Sequence, residues 1–82
     1  MAAKHVTVRY FAVLRDRRGV GEETLSTDCE SIGDFICELV VKHQLDLAPA
    51  LIRAAQDGSF VDDSTPIRDG AQIVLVPPVS GG

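Results

Sequence analysis

Eighty-two residues can build one hydrophobic core and no more, so the sequence is read as a single domain of modest stability. Twelve acidic residues against eight basic ones leave a net charge of −4, which argues against nucleic acid as the main partner. No apolar run approaches the ~20 residues of a membrane span.

Residues Met1 to His5 show no basic segment leading into an apolar one, so no secretory leader is expected and the expected location is cytoplasmic. Val6, Val8, Tyr10, Ala12 and Leu14 then alternate with Thr7, Arg9, Phe11 and Val13, the period of a strand with one face inward. Val6, Val8 and Tyr10 form the better core face, because Thr7 and Arg9 lie opposite. That leaves Phe11 and Val13 as apolar neighbours on the less protected side, which suits half of an interface. Arg15, Arg17 and Arg18, with Asp16 among them, are read as a solvated hairpin tip turned by Gly19 and Gly21. Glu22 to Thr27 is the strand that returns.

Ser31, followed three residues later by Asp34, is a helix N-terminal capping signature. Ile32, Phe35, Ile36, Leu39, Val40 and His43 recur at helical spacing, predicting a helix over about Ile32 to Gln44 with its apolar stripe across the sheet. Leu47 to Gln56 is helical by propensity alone, and Pro49 suits a first helical turn. Asp57-Gly58 before Phe60-Val61 instead reads as a hairpin turn. The preferred reading is a helical turn near Leu47 to Ala50, then a strand from about Leu51 to Gln56. Ile73 to Val76 is a continuous apolar run suited to a central strand buried on both faces. Pro77 and Pro78 end it, since neither can donate a ladder hydrogen bond. The first and last strands are expected side by side and parallel. The sum is an α+β protein of β-grasp type, a mixed sheet of four to five strands crossed by one main helix. It divides into a domain over 1–78 and a flexible tail over 79–82.

The body offers no nucleophile with a base and an orienting group, and no glycine-rich phosphate loop. Glu22-Glu23 and Asp62-Asp63 are read as solvated surface. Cys29 and Cys37 lack CxxC spacing and are assigned to packing, while His5 and His43 have no third ligand, so no metal is expected. The tail is different. Val79-Ser80-Gly81-Gly82 ends in residues without side chains, able to pass a narrow channel, and Pro77-Pro78 stiffens its root. A terminal carboxylate becomes reactive once its oxygen is made a leaving group, for example by adenylation. A sulfur or amine nucleophile then captures the acyl group.

These segments resemble the MoaD/ThiS family of ubiquitin-like sulfur carriers, above all its branch that forms the small subunit of molybdopterin synthase. Val6-Thr7-Val8-Arg9-Tyr10-Phe11-Ala12, Leu14-Arg15, Asp57-Gly58-Ser59-Phe60-Val61, Asp69-Gly70 and Pro77-Pro78-Val79-Ser80-Gly81-Gly82 carry the resemblance over nearly the whole chain. Where the family often has a valine or leucine followed by asparagine, this chain has Gln56-Asp57. The resemblance implies no bound cofactor, with ATP used by an adenylating enzyme of the ubiquitin-activating type. It implies a thiocarboxylate on Gly82, a MoaE-like large subunit as second partner, a heterotetramer, and sulfur donation to cyclic pyranopterin monophosphate. It also implies an apolar contact through Phe11, Phe60 and Val76, for the last two of which core packing is an equal reading. Other outlets for the same tail are a carrier for thiamine or tRNA thiolation, a protein modifier conjugated through Gly82, or an inert interaction domain.

Overall fold

The computed structural model describes residues 3–78. Alternation in the first segment forms β1 (Lys4–Tyr10), with Val6, Val8 and Tyr10 buried. The chain then turns into a six-residue helix, α1 (Val13–Arg18), before β2 (Glu22–Thr27) pairs antiparallel with β1, Val8 opposite Glu23 and Val6 opposite Leu25. Helix α2 (Ile32–His43) follows, capped by the Ser31 hydroxyl, which accepts from the Asp34 N–H. A 3-10 turn (Pro49–Leu51) leads to β3 (Arg53–Gln56), β4 (Ser59–Val61) and β5 (Gln72–Val76). The five strands lie in the order β2-β1-β5-β3-β4, with β1 and β5 parallel and the other pairs antiparallel.

One core lies on the inner face of this sheet. Ile32, Phe35, Ile36 and Leu39 of α2 pack with Val6, Val8, Tyr10, Ala54, Ile73 and Leu75. Each large apolar side chain buried this fully stabilises the fold by about 1.5–3 kcal/mol relative to exposure. β3 and β4 are joined by Asp57 (φ 52°) and Gly58 (φ 92°), the left-handed pair of a two-residue hairpin. β5 occupies the centre of the sheet, as its β-branched composition suggests.

Three expectations are corrected. The hairpin tip is α1: β1 stops at Tyr10, and Leu14 reaches the core from a helix. Val13 to Arg18 is made of residues a helix tolerates, and Gly19 at φ 88° closes it, its N–H bonding to the Arg15 carbonyl. A buried Leu14 satisfies both the strand period and the helix, so the alternation could not separate them. β5 is not buried on both faces: Ile73 and Leu75 are buried, but Val74 and Val76 on the other side are only half-buried. β3 begins at Arg53, because Pro49 and Leu51 are held in the preceding turn by the Ile52 N–H bond to the Pro49 carbonyl.

Candidate docking face and tail root

The register sets which side chains share the outer face of the sheet. Glu22, Arg9, Val74, Ala55 and Phe60 stand opposite one another across the five strands. One step further along, Arg53 opposes Val76. Phe11 continues β1 beside the end of β5, its N–H bonded to the Leu75 carbonyl at 3.3 Å. Phe11 and Phe60 are 45% and 59% exposed, so Phe60 is no core residue, and Val76 is half-buried between the two readings. The sequence reading of Phe11, Phe60 and Val76 thus lands on one face at the C-terminal end of the central strand. Two residues join them that sequence reasoning missed. Arg9 lies over the Phe11 ring at 5.8 Å, and Arg53 over the Phe60 ring at 4.4 Å. The signal was available in the alternation, which puts Arg9 and Phe11 on the same side.

Pro77, next to Val76, is buried, whereas Pro78 is exposed. The chain is therefore held in the body as far as Pro77. Val79, Ser80, Gly81 and Gly82 lie outside the described residues.

Behind this face, the inner side of β1 and β2 carries a polar cluster. The Tyr10 hydroxyl donates to Glu23 Oε2 at 2.7 Å, and Arg18 donates to both carboxylate oxygens at 2.7 and 2.6 Å. Burial and the Glu23 carboxylate hold the Tyr10 hydroxyl above the usual phenol range. Burial would raise Glu23, but the bonds from Arg18 and Tyr10 outweigh it and hold its carboxyl below the usual value. Burial and the nearby Arg18 push His43 down, and its buried Nε2 has no hydrogen-bond partner among the described residues. Reading Glu23 as solvated surface is corrected: its position opposite Val8 faces it inward, a parity visible in the strand pattern. Glu22, Asp62 and Asp63 are exposed.

Cys29 is half-buried with its thiol donating to Glu38 at 3.0 Å. Burial, then Glu38, pushes that thiol up, away from the reactive thiolate. Cys37 is exposed, which overturns its assignment to packing. Among the described residues no three of His, Cys, Asp or Glu are grouped to hold a metal, and no helix is long and apolar enough to cross a membrane.

The ThiS family model matches residues 8–82, from the middle of β1 through the tail. The chain belongs to the MoaD/ThiS family of ubiquitin-like sulfur carriers. It is 30% identical over 81 residues to the molybdopterin synthase sulfur carrier subunit of Chlamydomonas reinhardtii, covering 94% of this chain and 98% of that protein. Subunit 1 or 2 of the molybdopterin-converting factor of Helicobacter pylori, solved as a complex of the two, matches with a TM-score of 0.62 and 28% identity over 95% of this chain and 99% of that one. The small archaeal modifier protein 1 of Methanosarcina acetivorans matches with a TM-score of 0.77 and 25% identity, covering 100% of both chains. The β-grasp architecture of this MoaD/ThiS member is thus that of its relatives, and the matched segment includes its Pro77-Pro78 root and the four residues beyond it.

Proposed function

We propose that this chain carries sulfur on Gly82 as the small subunit of a molybdopterin synthase. The observation that carries the reading is the root of the tail: a central strand that ends at a buried Pro77, with the exposed outer face beside it. An adenylating enzyme of the ubiquitin-activating type would seat on that face. The Gly82 carboxylate attacks the α-phosphorus of ATP, and pyrophosphate leaves. A persulfide sulfur then displaces AMP, and a thiol cleaves the resulting acyl disulfide to leave a thiocarboxylate. The loaded tail enters a MoaE-like large subunit, where its sulfur attacks cyclic pyranopterin monophosphate. Two loaded carriers supply the two dithiolene sulfurs. Exclusion of water from that pocket protects the thiocarboxylate. The catalytic groups of that step are assigned to the large subunit.

The resemblance to a small archaeal modifier supports a second reading, conjugation of Gly82 to lysines of other proteins. Reconstitution separates them. Thiocarboxylated carrier, the large subunit from the same organism and cyclic pyranopterin monophosphate should yield molybdopterin, with the carrier returned as the free carboxylate. Absence of molybdopterin together with a ladder of lysine conjugates in cells would replace the first reading by the second.

A further inference from the structure

The outer face has a charge pattern opposite to that of the whole chain. The net charge is −4, yet the outward positions of the five strands carry Arg9 and Arg53 against a single carboxylate, Glu22 at the β2 edge. Both guanidiniums lie over exposed aromatic rings, Arg9 on Phe11 and Arg53 on Phe60. Arg9 also pairs with Glu22 at 3.4 Å, but both side chains are more than half exposed, so that pair is weak and exchangeable. Arg53 has no ion pair or side-chain hydrogen bond among the described residues.

At 4.4 Å the Phe60 ring covers one side of the Arg53 guanidinium and leaves its N–H groups unpaired among the described residues, while Arg9 makes a looser cation–π contact at 5.8 Å. A guanidinium edge fits a carboxylate by two parallel hydrogen bonds, and the stack has already limited the rotamers that binding would otherwise have to order. Aromatic rings and arginines are also the side chains over-represented at interface centres. From this geometry we infer that the docking face selects a protein partner whose apolar contact surface is flanked by carboxylates, which pair with Arg53 and Arg9. The acidic remainder of the chain repels the same partner in other orientations, so the two arginines set specificity and register as well as attraction. This inference rests on the reading of the face as the docking surface of the carrier.

The test uses the whole chain and the large subunit of molybdopterin synthase from the same organism, with affinities from calorimetry at about 50 and about 300 mM NaCl. Arg53→Glu should weaken binding by about tenfold or more, and Arg53→Lys by less, because it keeps charge but loses the fork. Wild-type affinity should fall with salt, whereas the Arg9→Glu, Arg53→Glu double variant, which sets carboxylate against carboxylate, should bind as tightly or more tightly as salt is added. All these side chains are exposed, and unchanged urea midpoints would verify that the variants fold. If Phe60→Asp abolishes binding while Arg53→Glu and the double variant stay within about twofold of wild type, the arginines merely shield the rings and the inference is overturned. If wild type does not bind, or Phe60→Asp binds as wild type does, the docking reading itself fails and takes the inference with it.

Discussion

Ala12 holds φ 53° and ψ −128°, a combination open to glycine and costly for a residue with a Cβ. It sits where β1 hands over to α1, directly after Phe11. Strain of this kind costs about 1–3 kcal/mol, against about 0.4–1 kcal/mol of extra unfolded-state entropy for glycine. Ala12→Gly is therefore expected to stabilise the protein by about 1 kcal/mol in urea denaturation; a clear loss of stability would show that the strain is not there. His43 gives a second residue-level expectation. It faces Arg18 from α1 and Glu23 from β2, with Lys42 beside it on its own helix. Its folded-state pKa lies below its unfolded one, chiefly through burial and then through Arg18, so folding favours the neutral ring. Stability is then complete above the ordinary value of 6.5 and declines as pH falls through it. His43→Gln should flatten the drop in melting temperature between about pH 8 and about pH 5.5. An identical drop in the variant would remove His43 as its cause.

At the scale of elements, β2, α2, the Asp57-Gly58 hairpin and the central place of β5 were legible in the chain. Each rests on a local signal that the tertiary structure reinforces: alternation, a Ser31 cap with a 3.6-residue stripe, a left-handed pair, a β-branched run. α1 was not legible, since six residues give too short a stretch for helical period to compete with the alternation running in from β1. The open outer face was not legible either. Val74 and Val76 look as apolar as Ile73 and Leu75, and only the position of the helix decides which pair is covered. Nor did the sequence announce how tightly the loop after β4 closes on α2. The Ile32 and Gly33 N–H groups donate to the Thr65 and Asp63 carbonyls, both at 2.9 Å, satisfying donors that a helix start leaves orphaned. A Cβ on Gly33 would stand 2.9 Å from the Asp63 Cβ and 3.2 Å from its carbonyl oxygen. Gly33→Ala should thus destabilise by about 1–2 kcal/mol despite the better helix propensity of alanine. An equal or higher urea midpoint would contradict that packing.

Across the whole molecule, the parallel β1–β5 pair places the end of the first strand beside the end of the last, so Phe11 and the Pro77-Pro78 root become neighbours. The hairpin β3–β4 brings Phe60 and Arg53 to the same face from the other side. The proposed docking face and the Pro77-Pro78 root thereby lie together on an otherwise acidic body. Of this region, the Pro77-Pro78 end of the central strand and the exposure of Phe11 could be read in the sequence, whereas the exposure of Phe60 stood level with core packing. The Arg53–Phe60 pair could not, since it crosses a register that only the folded sheet defines, whereas Arg9 and Phe11 already share a side in the alternation. Gly82 is the residue proposed to be charged with sulfur. The decisive measurement is the intact mass of the chain after incubation with its adenylating enzyme, ATP and a persulfide donor, beside a variant lacking Gly82. A gain equal to an oxygen-to-sulfur exchange is expected in the wild-type chain and none in the shortened one. No gain in an adenylated wild-type chain, or an equal gain in the variant, would contradict that role for Gly82.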